Sequence, residues 1–152
     1  MQAKETKLVE ILEGTKQFVV PLFQRSYSWT KKEWDILWND ITDLYEMDTP
    51  RVHFFGSVVN MPATSVPEGV AKFLLIDGQQ RLTTVYILLS ILKDCAVKQG
   101  KTSLSEEIME TLLINKFKQG NDHYKFMPTQ VDRKAFKSVI ENTVDDPNNQ
   151  IV

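Results

Sequence analysis

The sequence predicts an α+β domain, a small mixed sheet packed with several helices, and three observations carry that prediction. Apolar residues recur at helical spacing in two long stretches, Trp34, Leu37, Trp38, Ile41, Leu44, Tyr45 and then Leu82, Val85, Tyr86, Leu88, Leu89, Ile91, Leu92. Short aromatic and β-branched runs, Phe18–Phe23, His53–Met61 and Lys72–Ile76, are set apart by glycine and proline. The chain has 152 residues, 42% of them hydrophobic and 25% charged, the makeup of one globular domain able to bury a single core.

The elements follow in order. Leu8, Val9, Ile11 and Leu12 before Gly14 predict a short helix over residues 6–13 with a glycine stop. "FVVPLF" reads as extended. Thr30 with Glu33 three residues on forms a capping box, so a helix starts there and runs through Tyr45; its Trp34 and Trp38 offer an interface if that face is left uncovered. His53–Met61 and Lys72–Ile76 read as two strands joined by a surface loop containing Pro62, Pro67 and Gly69. The helix after Gln80 is apolar nearly all round, which predicts a central, well-buried element ending near Gly100. "LSEEIMETLLINKF" is amphipathic, "HYKFMP" reads as a strand, and Thr129 with Asp132 caps a last helix through Ile140. These elements fill residues 1–143, while 144–152, "VDDPNNQIV", read as a linker or cut end toward an absent C-terminal region.

Composition removes several function classes. With 18 Lys+Arg against 20 Asp+Glu, the net charge of −2 gives no global attraction to nucleic acid, so any phosphate site is local. One cysteine, Cys95, and two histidines, His53 and His123, cannot build a disulfide or a Cys/His zinc cage. Cys95 reads as a core thiol and His53 as a packed histidine, without support for a nucleophilic triad. "MQAKETKLVEILEG" lacks the layout of a signal peptide, and "VYILLSIL" falls short of the ~20 apolar residues that span a bilayer, so a cytoplasmic, soluble protein is expected. "GKT" at 100–102 follows a helix and lacks the first glycine of a P-loop, and no G-x-G-x-x-G is present.

What remains is the polar insert in "LLIDGQQRLTTVYILL", placed where a strand hands over to a helix. A helix N-terminus presents unpaired N–H groups and the positive end of its dipole, so a glycine turn before it suits phosphate. Gly78 gives backbone access, Arg81 adds a guanidinium that grips phosphate oxygens, and Thr83 and Thr84 carry hydroxyls in the first turn. Asp77 can bind Mg²⁺ or orient water, and Gln79 and Gln80 can position a nucleophile or read a base. A second block, "VPLFQRSYSW", repeats the pattern: Gln24 and Arg25 follow an extended run, with Tyr27 and Trp29 alternating after them. The two Gln-Arg pairs converge if their strands are neighbours. The plainer alternatives are an N-cap and a turn at Asp77–Gly78, a solvated Arg81, and core packing in place of base or sugar stacking for Tyr27 and Trp29.

"VPLFQRSYSWTKKEWDILWNDI", "HFFGSVV", "LLIDGQQRLTTVYILL" and "YKFMPTQVDRKAFKSVIE" resemble, in order and spacing, the N-terminal DGQQR-motif domain of GmrSD-type modification-dependent restriction enzymes and related phage-defence proteins. The resemblance covers roughly residues 8–140. It implies a ParB/sulfiredoxin-like fold and binding and hydrolysis of a nucleoside triphosphate, with Mg²⁺, in the service of DNA cleavage. The residue pattern and the resemblance together lead us to expect catalytic roles for Asp77, Gln80, Arg81 and Gln24, phosphate contacts from Arg25, Gly78, Gln79, Arg81, Thr83 and Thr84, and metal binding by Asp77. The implied partners are a C-terminal HNH-type nuclease region and, through the full-length protein, DNA; no nuclease chemistry is expected in this chain. A non-catalytic nucleotide or DNA sensor and a structural docking domain are the competing readings.

Overall fold

A computed structural model of the chain, which describes residues 2–49, 51–63 and 69–142, is built around a four-stranded sheet in the order β2-β3-β1-β4. β1 (Lys16–Val19) lies inside, parallel to both β3 (Ala71–Asp77) and β4 (Phe126–Met127), and β2 (Val59–Pro62) runs antiparallel along the outer edge of β3. Phe18 is the pivot of the register, opposite Phe73 on one side and Phe126 on the other. Pro21 follows the strand without an N–H to continue the ladder. The mixed sheet and helices are the predicted α+β class.

Among the described residues, five α-helices and two shorter helical turns pack around it. α1 (Leu8–Leu12) is shorter than predicted, and Gly14 after it takes φ +88°. α2 (Lys31–Glu46) starts on the predicted capping box, where Thr30 donates through N and Oγ1 to the Glu33 carboxylate at 2.8 and 2.7 Å. Those bonds hold the Glu33 carboxyl below its ordinary range, the Thr30 hydroxyl being the largest cause. α3 (Gln79–Lys98) is followed by α4 (Thr102–Ile108), a π-helical turn Met109–Leu113, a 3-10 turn Gly120–His123 and α5 (Arg133–Glu141).

The core joins Leu75 of β3, Leu82, Val85 and Tyr86 of α3, Phe126 of β4 and Phe136 and Ile140 of α5. Tyr86 stacks on Phe126 at 5.0 Å between ring centroids and meets Phe136 edge-on at 6.3 Å. These contacts fix α3 against the sheet at its first turns, which is the end that carries the polar insert. Gln17, buried in β1, is satisfied by donating to the carbonyls of Asn121 and Tyr124.

Several sequence expectations need correction. His53–Val58 is not strand; Gly56, at φ +119°, turns that segment into a loop that reaches the start of α3, and only Val59–Pro62 pairs. α3 is not buried all round: its outer half keeps Ser90, Lys93 and Ala96 buried but turns Ile91, Leu92 and Val97 outward. Cys95 is exposed on that outer half, so it is no core thiol. His53 sits in the loop 3.6 Å from the Asp40 carboxylate and is not packed in the core. The amphipathic run after Ser103 breaks at Ile108 into the π-helical turn, and "HYKFMP" gives a two-residue strand beside an Ile114–Tyr124 bridge. The last helix begins at Arg133, with Asp132 rather than Thr129 as its N-cap. Along α2, Trp34, Trp38, Ile41 and Tyr45 form one stripe at i, i+4, i+7 and i+11 that solvent reaches, and only Leu37 of the helix is buried. The expected boundary at 143 and the tail beyond it lie outside the described residues, as do residues 64–68 of the expected surface loop.

Candidate functional site at the carboxyl ends of β1 and β3

Because β1 and β3 are parallel neighbours, their carboxyl ends open at the same edge of the sheet. β1 leads into Gln24–Arg25 and β3 ends at Asp77, so the two polar blocks, 52 residues apart at Gln24 and Ile76, meet: Gln24 Nε2 donates to the Ile76 carbonyl at 3.0 Å. Clefts in sheets with parallel strands form at such carboxyl ends. Here a pocket of about 270 Å³ is lined by Gln24, Arg25, Trp29, Ile76, Asp77, Gly78, Gln79, Gln80 and Arg81. That is small for a whole drug-sized ligand and fits part of one.

The three glutamines hold the loop after β1. Gln79 Nε2 donates to the Arg25 carbonyl at 3.2 Å. Gln80, buried, treats residues 26–28 as a strand would, accepting from Ser28 N at 2.9 Å and donating to the Ser26 carbonyl at 3.1 Å. Asp132, far away in sequence, accepts from Tyr27 N at 2.7 Å and from the Thr129 hydroxyl at 2.8 Å. A directed chain then closes the back of the site. Trp34 Nε1 donates to the Tyr27 hydroxyl (2.6 Å), which donates to Thr84 Oγ1 (2.8 Å), which donates to the Gln80 carbonyl (2.8 Å). The direction follows because an indole N–H only donates and the Thr84 proton is already spent on Gln80.

Charge is concentrated at the mouth. Arg25 and Asp77 are exposed, and among the described residues neither side chain has a hydrogen-bond or ion-pair partner. Gly78 caps α3 at φ +94°, a left-handed conformation that glycine takes without steric cost. A Cβ there would also meet the Ser57 carbonyl oxygen at 3.1 Å. The first intrahelical bond is Leu82 N to the Gly78 carbonyl at 3.0 Å, so the N–H groups of Gln79, Gln80 and Arg81 have no acceptor within the helix. Arg81 lies against the Gly56–Ser57 loop, with Nη2 donating to the Ser57 carbonyl and Nε buried without a partner among the described residues.

Among family models, that of the GmrSD restriction endonuclease, N-terminal domain, matches residues 8–151. The chain belongs to that family. It is therefore the N-terminal domain of a restriction-endonuclease type, a DNA-targeting phage-defence family. No match was found among curated proteins, and among the described residues no helix is long and apolar enough to cross a membrane.

Of the residues singled out in sequence, this GmrSD-type domain brings Gln24, Arg25, Trp29, Asp77, Gly78, Gln79, Gln80 and Arg81 to one pocket. It does not bring Thr83, Thr84 or Tyr27 there. Thr83 and Thr84 are buried and turn their hydroxyls back to the carbonyls of Gln79 and Gln80, at 2.6 and 2.8 Å, as helical threonines do. Tyr27 spends its hydroxyl in the chain behind the site, which leaves Trp29 as the aromatic of the lining. Gln80 lines the pocket but has both ends of its amide committed to the loop. Three contributors went unnoticed in sequence: Gly56, the Ser57 carbonyl and Asp132. The first stood inside the quoted "HFFGSVV" block, where a glycine in an aromatic run signals a bend or a close approach.

No group of three His, Cys, Asp or Glu side chains that could hold a metal occurs among the described residues. Asp77 is a single hard carboxylate. That suits Mg²⁺ held mainly by phosphate oxygens and water, the usual arrangement in nucleotide sites, and does not suit an all-protein cage.

Proposed function

We propose that this domain binds a nucleoside triphosphate by its phosphates in the pocket between β1 and β3, and hydrolyses it to regulate the DNA-cleaving protein of which it is a part. The observation that carries this reading is the convergence of two arginines, an unpartnered carboxylate and the N-terminus of α3 on one cleft. Arg25 and Arg81 neutralise phosphate charge, and the first amides of α3 add oriented N–H donors. Asp77 holds Mg²⁺ or polarises the attacking water, and Trp29 offers a face to the base or sugar. Phosphoryl transfer needs positioning and charge stabilisation more than covalent help, and a site of this kind supplies both. Gln24 and Gln79 complete the wall. DNA and an HNH-type nuclease region belong to the full-length protein in this proposal.

A sensor that binds without turnover is the second reading, favoured by one observation: Gln80, a candidate for orienting water, has its amide oxygen and nitrogen each bonded to the loop backbone. Titration with each of the four nucleoside triphosphates and Mg²⁺, following melting temperature and phosphate release, separates the two. Stabilisation with release, both lost in Arg81→Ala and release lost in Asp77→Ala, supports hydrolysis. Stabilisation without release supports the sensor, and no response to any nucleotide refutes both.

A further inference from the structure

Arg81 is the one cation of the pocket whose side chain is already fixed, and what fixes it lies outside the DGQQR block. An ideal Cβ at Gly56 would fall 2.8 Å from both Cζ and Nε of Arg81, closer than real Cβ atoms pack, and a tight 3.2 Å from Nη1. Gly56 also has φ +119°, outside the regions that residues with a Cβ occupy. The adjacent Ser57 carbonyl accepts from Nη2. Nε is shut off from solvent and has no acceptor among the described residues.

We propose that Gly56 is a positioning residue for Arg81. Its bare backbone lets the guanidinium lie against the 56–57 loop, and the Ser57 carbonyl sets its rotation. The inference rests on the phosphate-binding reading of the pocket and deepens it. A guanidinium can grip an oxyanion side-on through Nε and one Nη, or end-on through its two Nη groups. The loop closes the side-on route by burying Nε, so phosphate oxygens are met end-on by the Nη groups. The same loop carbonyl lies 3.1 Å from where a Gly78 Cβ would be, so one turn of backbone places both the arginine and the start of α3. The clamp is thus built before ligand arrives, which reduces the ordering cost of binding.

The test is a double-mutant cycle on the full chain, Gly56→Ala, Arg81→Ala and the pair, with dissociation constants for whichever of the four Mg-nucleoside triphosphates binds wild type best. Gly56→Ala is expected to weaken binding by about tenfold or more, the scale of one charge-assisted hydrogen bond. In the Arg81→Ala background it should add almost nothing, because its effect runs through that side chain. Wild-type binding in Gly56→Ala, or an equal loss in both backgrounds, overturns the proposal and leaves the nucleotide reading standing. Unchanged binding in Arg81→Ala overturns the nucleotide reading and the proposal with it. Because alanine at this φ can itself unfold the chain, a second measurement uses wild type alone: the Arg81 Nε–H resonance by NMR. Slow exchange with water, with and without the nucleotide, supports the buried Nε; fast exchange or a direct hydrogen bond from Nε to phosphate refutes it.

Discussion

Replacing Gln80 by alanine separates holding the loop from taking part in chemistry. The residue is 8% exposed, and its side chain makes two neutral hydrogen bonds to the backbone of residues 26–28. Two such bonds contribute about 2 kcal/mol together. The lost methylene adds about 0.8 kcal/mol. Ser26 and Ser28 are exposed, so water takes over part of the backbone pairing, and alanine favours the helix by some ~0.4 kcal/mol. The net expectation is a loss of about 2 kcal/mol, or about 4–8 °C in melting temperature for a chain of this size. Calorimetry gives that number, and amide exchange at Ser28 N–H, which should accelerate, shows where it comes from. Nucleotide affinity should fall with it, because Arg25 rides on the same loop. A melting temperature within about 1 °C of wild type and unchanged exchange at Ser28, alongside lost phosphate release, would refute the reasoning and return Gln80 to the catalytic role expected from sequence.

Tyr86→Phe removes a hydroxyl that is buried without a partner among the described residues and should raise stability by about 1 kcal/mol, read by urea denaturation; a loss of that size would reveal an acceptor for it. Burial also pushes the Tyr86 hydroxyl far above its ordinary pKa, so above that ordinary value the unfolded chain releases the proton first and stability falls as pH rises; the Phe variant should show a shallower alkaline decline, and an identical one would refute the assignment. Tyr27→Phe breaks the chain from Trp34 to Thr84 and should cost about 1 kcal/mol with a shift of the Trp34 indole N–H resonance, an unshifted resonance counting against the hydrogen bond. The Glu33 carboxyl, depressed chiefly by the Thr30 hydroxyl, stabilises the start of α2 above the ordinary glutamate pKa, and that contribution disappears as pH falls through its lowered value. Its carboxyl carbon resonance should therefore titrate below those of other exposed glutamates, and in Thr30→Ala it should return to their range.

The site was legible in sequence where its logic is local. A strand ending in Asp77, a glycine turn and an apolar helix are written in consecutive residues, and so is the capping box of α2. The convergence of the two Gln-Arg blocks was conditional on β1 and β3 being neighbours, and no local pattern states a strand order; the parallel register of Phe18 with Phe73 supplies it. Side-chain roles were the least legible. A glutamine reads equally as a group that orients water or one that pairs with backbone, and the pairing of Gln80 with Ser26 and Ser28 comes from a loop more than 50 residues away in sequence. A threonine in a first helical turn can point outward or fold back on the preceding turn, and burial of Thr83 and Thr84 on α3 favours the carbonyls. The strand expected at His53–Met61 failed for a related reason: aromatic and β-branched residues favour extended backbone, but Gly56 takes φ +119° beside the Arg81 guanidinium, and that local turn overrides propensity. The motif DGQQR is thus incomplete as a description of the site. Its arginine is oriented by a glycine 25 residues upstream and its loop is anchored by an aspartate 51 residues downstream of Arg81, so a substitution outside the motif can disable it as surely as one within.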